Sequence, residues 1–407
     1  MRANLLTRQD ATLAAGRLSV TPTEISKTVK MGTTATAAFT LKNTGTLPVK
    51  VKVGETDGGF VLQSVGGAPL QKVAAAVYTG SSQVQAAKAK AAGTPAAGKA
   101  LVSPSAEAWA PVADLPTILQ DSSAVFDGQK LYSVGGYDGS DDLNSLFAYD
   151  PQAASWSTLA PATDAREAGQ IASIGGTLIW TGGWGASGAP DGKTEIYDPA
   201  ANSWSTGAAN PKPQAAAGKA TIGSKLYLVG GCAAACGSKT VQVYDAAANS
   251  WTSAADYPET TSWIGCGALA DKVYCAGGTN GTVSSMKTYV LDPASNSWSA
   301  AADLPVDLWA SFSTAANGKL LISGGVVDDS AAITNQGYAY DPAANTWSPL
   351  PNLNTALYRG SGALGFYAVG GNSGGSTTPP SKTVQLLAGY DQAGAPTCRG
   401  SRSIRPS

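Results

Sequence analysis

Two arginines can each be matched with a glutamate as a candidate pair for acid–base chemistry. Arg166 is followed directly by Glu167, and Arg359 is a candidate partner for Glu259. A carboxylate that moves protons beside a guanidinium that holds the substrate needs no metal. The chain has no histidine. This absence excludes Ser-His-Asp and Cys-His nucleophile systems and the histidine ligands of most catalytic zinc, copper and non-haem iron sites.

A run of acids, YDGSDDLN over residues 137 to 144, is a candidate cation site. Asp138, Asp141 and Asp142 supply the carboxylate oxygens that a hard cation such as Ca²⁺ prefers. Their spacing does not match an EF-hand loop, and ordinary solvated loop acids are the competing interpretation. We therefore expect no bound metal or cofactor and keep these three residues as a weak calcium candidate.

The five cysteines indicate a redox compartment. Counting back from a two-residue turn at Ala270-Asp271 places Cys266 opposite Cys275 as a non-hydrogen-bonded pair, with Cα atoms about 4.5 Å apart, within reach of a disulfide. Cys232 and Cys236 share the loop CAAAC and form a second candidate bridge, which leaves Cys398. Two local pairs favour an oxidising compartment; free buried thiols in a cytosolic protein are the alternative.

The elements that position these residues are set by a repeat. Pairs of glycines follow one another at gaps of 47, 48, 47, 47 and 46 residues, beginning at positions 135, 182, 230, 277, 324 and 370. A period of about 40 to 50 residues is typical of propeller blades. Six tryptophans keep the same spacing: Trp109, Trp156, Trp204, Trp251, Trp298 and Trp347. Each unit reads as four short strands with turn residues between them, as an antiparallel blade requires.

This order of a Gly-Gly pair, a tyrosine and a tryptophan resembles the Kelch repeat family over residues 107 to 391. The resemblance implies an all-β fold with a six-bladed Kelch β-propeller. The last unit lacks its Trp strand, whereas an unmatched Trp strand, EAWAPVADLP over residues 107 to 116, precedes the first unit. We expect the strand of Trp109 to close the sixth blade as its outermost strand, because an open edge invites aggregation.

In such a propeller the loops between second and third strands and those between blades lie on one face. We predict that this face binds a ligand through Tyr137, Asp138, Arg166, Glu167, Trp184, Trp263, Trp309, Tyr358 and Arg359. Loop aromatics rimmed by acids suit the recognition of a sugar or a peptide. The alternative is that the three tryptophans plug the axial channel or pack between blades.

The segments outside the repeat predict further modules. Residues 1 to 16 are interpreted as a disordered or truncated N-terminus, and alternating apolar residues over 17 to 80 favour a small β-sandwich of immunoglobulin type. Residues 81 to 106 are a linker rich in Ala, Gly and Lys, and 392 to 407 a disordered tail. This order of modules is similar to the non-catalytic C-terminal region of secreted actinobacterial subtilisin-like peptidases, which implies a peptidase domain preceding it in full-length relatives.

Composition narrows the partners. The 407 residues carry a net charge of −1 and are only 14% charged, which argues against nucleic-acid or anionic-membrane binding, and we find no apolar run of membrane-spanning length. We predict a secreted, non-catalytic propeller that recognises or scaffolds a protein or a carbohydrate. The alternative is a metal-free enzyme acting on a sugar, which a resemblance to Kelch proteins of the sialic acid epimerase type implies.

Overall fold

The computed structural model describes residues 109–327, 332–375 and 377–390, together with four short strands near the N-terminus. The chain divides into two units, Met1–Gln63 and Ser64–Ser407. In the first unit, Asn4–Leu5 pairs with Lys27–Thr28, and Leu18–Thr21 pairs with Thr40–Asn43, both antiparallel. The other residues of the predicted sandwich over 17 to 80, the linker over 81 to 106 and the tail over 392 to 407 lie outside the described residues.

The described residues of the second unit form six four-stranded antiparallel sheets, numbered here as blades 1 to 6 in chain order. Within each blade the strands are given from first to fourth. Blades 1 to 3 consist of Ser123–Phe126, Leu131–Val134, Leu146–Asp150 and Ser155–Leu159; Gln170–Ile174, Thr177–Thr181, Thr194–Asp198 and Ser203–Thr206; and Gly218–Ile222, Lys225–Val229, Val241–Asp245 and Ser250–Ser253. Blades 4 to 6 consist of Gly265–Leu269, Lys272–Ala276, Thr288–Asp292 and Ser297–Ala300; Phe312–Ala316, Lys319–Ser323, Gly337–Asp341 and Thr346–Leu350; and Ser361–Ala363, Tyr367–Val369, Val384–Leu387 and Trp109–Pro111.

The six first strands contact one another in a closed circle around the axis, and the first strand of blade 6 contacts that of blade 1. Two small strand pairs lie in the connecting loops: Arg166–Glu167 with Trp184–Gly185, and Val326–Val327 with Ala332–Ile333. No helix with the length and hydropathy of a membrane span occurs among the residues described.

The strand of Trp109 closes the propeller as predicted. It pairs antiparallel with Val384–Leu387, so that Leu387 lies opposite Trp109 and Leu386 opposite Ala110. The Trp109 side chain is buried and packs on Phe366 with ring centroids 4.9 Å apart. The sixth blade is therefore built from both ends of the repeat region, and every blade has its fourth strand.

The repeated tryptophans tie neighbouring blades together. In every blade the indole N–H of the fourth-strand tryptophan donates a hydrogen bond to a backbone carbonyl at the edge of the preceding blade, at 2.8–2.9 Å. The donor and acceptor residues are Trp109 and Pro351, Trp156 and Ala113, Trp204 and Ala160, Trp251 and Ala208, Trp298 and Ala255, and Trp347 and Ala302. Each ring thus buries apolar area between sheets while its polar edge stays bonded.

The Gly-Gly pairs lie where neighbouring blades crowd the chain. Gly135 and Gly230 have φ of +62° and +68°, and a Cβ at either position would lie 2.5 Å from a backbone carbonyl oxygen, that of Arg166 or of Thr261. Any larger residue would meet both a backbone clash and an unfavourable φ. The regular spacing of the glycine pairs therefore reflects the regular spacing of the close contacts between neighbouring blades.

Both predicted cysteine pairs are disulfides. Cys266 and Cys275 lie opposite each other in the first hairpin of blade 4, with Cα atoms 4.2 Å apart, and the turn residues Ala270 and Asp271 both have positive φ, as that register requires. Cys232 and Cys236 are bridged across their loop in blade 3. Cys398 lies outside the described residues.

Candidate functional site

A ring of six backbone hydrogen bonds encircles the propeller axis. Two residues before the first strand of each blade, the chain adopts a left-handed conformation with φ between 52° and 57°. The N–H of each of these residues donates to the carbonyl of its equivalent in the preceding blade at 2.7–2.9 Å, and the sixth bond closes the circle. The members are Asp121, Ala168, Ala216, Trp263, Ala310 and Arg359. We call them the axial ring.

Non-glycine residues rarely adopt a positive φ, so the surrounding structure must hold all six in place. Three members of the axial ring are alanines, whereas the other three are Asp121, Trp263 and Arg359, and Arg359 contacts both of the others. The sequence pattern did not single out this position, although the six residues are equivalent in the repeat.

Arg359 is the centre of that contact. Its guanidinium forms an ion pair with Asp121 and lies 3.7 Å from Glu167 Oε2 and 4.8 Å from the centroid of the Trp263 ring. The side chains of Arg359, Asp121 and Glu167 are at most 1% exposed. Burial by itself lowers the pKa of Arg359, but the carboxylates of Asp121 and Glu167 outweigh burial and raise it. The guanidinium therefore stays charged and enclosed.

Aromatic side chains cover the same end of the axis. Trp184, Trp263 and Trp309 form a row with ring centroids 5.9 and 6.3 Å apart, and Tyr358 extends it at 6.2 Å from Trp309. All four are buried in one apolar cluster with Cys232, Val326 and Ile333. The three tryptophans are therefore enclosed rather than exposed, which fits the alternative that they plug the channel or pack between blades.

Arg166 and Glu167 point in opposite directions, because successive side chains of a strand alternate. The Arg166 guanidinium forms an ion pair with Glu195, donates to the carbonyls of Gly182 and Lys193 at 3.2 and 3.0 Å, and lies 4.0 Å from the Trp180 ring centroid. Burial lowers its pKa, against the opposing effect of Glu195 and Asp191.

The structure thus pairs the charges differently from the sequence expectation. Arg166 contacts Glu195 instead of Glu167, and Glu167 contacts Arg359. Glu259 lies elsewhere, where its carboxylate accepts hydrogen bonds from the hydroxyls of Tyr289 and Ser285 at 3.1 and 3.4 Å. Neither expected arginine–glutamate pair forms: Arg166 and Glu167 point to opposite sides of their strand, and Glu259 is bonded to Tyr289 and Ser285 instead.

The acidic run at 137 to 144 folds as a loop of blade 1. The Asp138 carboxylate accepts hydrogen bonds from the backbone N–H groups of Ser140 and Asp141 at 2.8 Å each. The backbone of Tyr137 forms isolated antiparallel β-bridges with Gln120 and Asp142. Burial, followed by the charges of Asp121 and Asp141, raises the pKa of Asp142 to about 7. Within the described ranges no three His, Cys, Asp or Glu side chains are grouped as metal ligands. Asp138, Asp141 and Asp142 are therefore not arranged as a ligand set.

A half-enclosed cavity lies on the axis, against the axial ring and the beginnings of the first strands. Its lining includes Ser122, Ser123, Gln170, Lys219, Ser311, Ser313 and Ser361. Its volume is about 80 Å³, enough for several water molecules or one small organic molecule. Lys219 was missed by sequence reasoning. The one sequence feature that could have pointed to it is the presence of a charged residue within a first strand.

The comparisons with known proteins agree with this architecture. A family model for the Kelch motif matches residues 120–163, 215–256, 264–305 and 313–354. The domain is a Kelch-repeat six-bladed β-propeller. The solved structure of YjhT is similar to 67% of this chain and 96% of its own chain, with a TM-score of 0.58 and 16% sequence identity. No curated protein sequence matches.

At that identity the likeness to YjhT shows the fold alone. The four matched Kelch motifs correspond to blades 1, 3, 4 and 5. Blade 2 and blade 6 lie outside the match, and blade 6 takes its fourth strand from residues far away in sequence. The candidate site of the Kelch propeller is therefore described by its own geometry: the axial ring, the aromatic row and the cavity.

Proposed function

We propose that this protein is a secreted, non-catalytic recognition or scaffolding propeller that binds a protein or a glycan. The observation that carries the proposal is that the arginines and the glutamate predicted to do chemistry are buried and ion-paired. Arg166, Arg359 and Glu167 are at most 1% exposed and are held among other charged and aromatic side chains. Each of these groups is already engaged by a protein side chain of opposite charge, which supports a structural role for them.

The outer parts of the same loops supply the proposed binding surface. Tyr137 and Asp138 in blade 1 remain partly exposed. In the corresponding loop of blade 4, Val283 and Met286 are 52% and 42% exposed and are large apolar side chains in contact with solvent. Exposed apolar and aromatic residues beside acids are suited to contacts with a partner surface.

Secretion is supported by the two disulfides, because such bonds persist mainly in oxidising compartments. An accessory role beside a subtilisin-like peptidase is supported by the order of modules in the sequence. In that arrangement the propeller localises or selects the substrate, and a preceding peptidase domain carries out the hydrolysis.

The test measures binding and turnover on the same samples. Purified full-length protein is titrated by calorimetry with soluble xylan, chitin oligosaccharides, casein and collagen, and each ligand is then analysed by chromatography and mass spectrometry. We expect saturable binding to one of the two classes and recovery of the ligand unchanged. Conversion of the ligand to a new product would overturn the non-catalytic assignment, and absence of binding throughout the panel would count against recognition of these classes.

Variants locate the surface. Tyr137→Ala and Met286→Ser should weaken binding at an unchanged Tm, because neither side chain is fully buried. Thr206→Ala, at an exposed position of a fourth strand in blade 2, is the matched control and should bind like the wild type.

A further inference from the structure

Lys219 reaches across the axial cavity. It lies on the first strand of blade 3, and its Nζ donates to the Ala124 carbonyl at 2.6 Å and to Ser123 Oγ at 3.3 Å, both in blade 1. A neutral amine has two hydrogens and one lone pair. With both hydrogens engaged on blade 1, the lone pair is available to a molecule in the cavity.

No carboxylate balances this lysine in the part of the chain that the structure describes. The charged groups that line the same cavity are Asp121 and Arg359, and these are paired with each other. Burial lowers the pKa of Lys219 to about 7. Near neutral pH a large part of the population is therefore the uncharged amine, the form that attacks carbonyl carbons.

The cavity around the amine is small and lined with hydroxyl groups. Ser122, Ser311, Ser313 and Ser361 contribute to its wall. Hydroxyl side chains donate and accept hydrogen bonds, so that they match a ligand that carries hydroxyl groups. The space of about 80 Å³ accommodates a ligand of a few non-hydrogen atoms.

We propose that Lys219 is a carbonyl-binding amine that forms a reversible imine with a short hydroxyaldehyde of two or three carbons in the axial cavity. The Nζ lone pair adds to the aldehyde carbon, and a proton passes from nitrogen to the former carbonyl oxygen, with the Ser123 hydroxyl within reach as a relay. The resulting carbinolamine loses its hydroxyl group and the second nitrogen proton as water. A C=N bond remains, and no oxidant or reductant is needed.

The imine is trapped in the full-length protein with glycolaldehyde and cyanoborohydride at pH 7.2, and the modified residue is identified by peptide mapping. Lys225, on the second strand of the same blade, is exposed and serves as the internal reference. An ordinary lysine has a pKa of about 10.4, so that we expect Lys219 to be labelled at least about tenfold faster than Lys225. In wild-type protein, equal labelling of both lysines, or labelling of exposed lysines alone, would overturn the proposal.

Two further comparisons test its parts. Lys219→Arg should lose the fast adduct, whereas Lys225→Arg should keep it; a fast adduct that survives in Lys219→Arg would show that another group reacts.

Propanal has the same number of non-hydrogen atoms as glycolaldehyde but no hydroxyl group, and it should label Lys219 several-fold more slowly. Equal rates would contradict recognition of the hydroxyl group. The labelling is measured on wild-type protein, so the main test does not depend on the folding of a variant.

Discussion

Arg359 is enclosed at the axial ring together with the carboxylate that neutralises it. Its contacts come from three blades: Asp121 of blade 1, Glu167 of blade 2 and Trp263 of blade 4. Because a buried charge without a partner is costly, the stability of the ring depends on keeping both halves of the pair.

Replacing Arg359 by methionine should therefore leave buried carboxylates uncompensated and lower the free energy of unfolding by about 3–5 kcal/mol. Lys287→Met is the matched control, because the Lys287–Asp303 pair is roughly half exposed and such a solvent-screened pair contributes little to stability. Urea unfolding of the two variants gives the comparison. Equal losses would show that the axial pair is not held as tightly as its burial implies.

The aromatic row allows a second test at the residue scale. Trp309 is 0% exposed, so Trp309→Ala should lower the free energy of unfolding by about 3–5 kcal/mol, as large-to-small core substitutions do. Met286→Ala, at a 42% exposed position, should change it by less than about 0.5 kcal/mol. A small effect of Trp309→Ala in thermal and urea melts would favour a role at the surface instead.

Asp142 should make stability depend on pH. Its pKa in the folded protein is raised from 3.8 to about 7. Between these two pH values the folded state therefore holds a proton that the unfolded state has released. The stabilising contribution is present below about pH 4 and is lost as the pH rises through 7. Asp142→Asn should therefore raise the Tm by a few degrees at pH 8 and leave it unchanged near pH 4.

The exposed Asp256→Asn serves as the control for this experiment. It should shift the Tm equally little at both values of pH. A Tm difference between Asp142→Asn and the wild type that does not vary with pH would rule out titration of Asp142 as the cause.

At the scale of elements, the fourth strands join the blades to one another. Each contributes an indole N–H bond to the preceding blade, and the Trp109 strand does so across the point where the ring closes. Asn354 adds a hydrogen bond from its side-chain amide to the Trp109 carbonyl at 3.0 Å. Closure therefore rests on contacts between residues more than 240 positions apart in the chain.

Deletion of residues 101 to 118 should unfold or oligomerise the propeller. The third strand of blade 6 would lose its outer partner, and an unpaired strand edge offers its backbone to other chains. Light scattering after size exclusion and thermal melts measure both outcomes. A truncated protein that stays monomeric with the wild-type Tm would contradict closure by this strand.

At the scale of the whole molecule, the two disulfides join residues that are close in sequence, within single blades. Four of the five cysteines are paired, so that Cys398 should be the one free thiol. Thiol titration of secreted, denatured and unreduced protein should find about one thiol per chain. Five thiols would contradict both bridges and the extracellular compartment that they support.

The sequence by itself determined the features that depend on local spacing. The period of the Gly-Gly pairs predicted six blades, the unmatched strand of Trp109 predicted the closure, and a turn at Ala270-Asp271 predicted the Cys266–Cys275 pair. The blade count and the cysteine pair could be predicted because turn and strand register act over a few residues and repeat in every blade. The closure could be predicted because the last unit lacks a strand and a spare strand precedes the first unit.

Only the tertiary structure decided which side chains meet at the axis. Arg166 and Glu167 are adjacent in sequence yet contact different partners. Lys219 of blade 3 contacts Ser123 of blade 1. Trp184, Trp263 and Trp309 are residues of a type common in binding faces, but in the folded propeller they are buried in one apolar cluster. Ring closure brings together single residues from separate repeats, and no local pattern records which of them will share the axis.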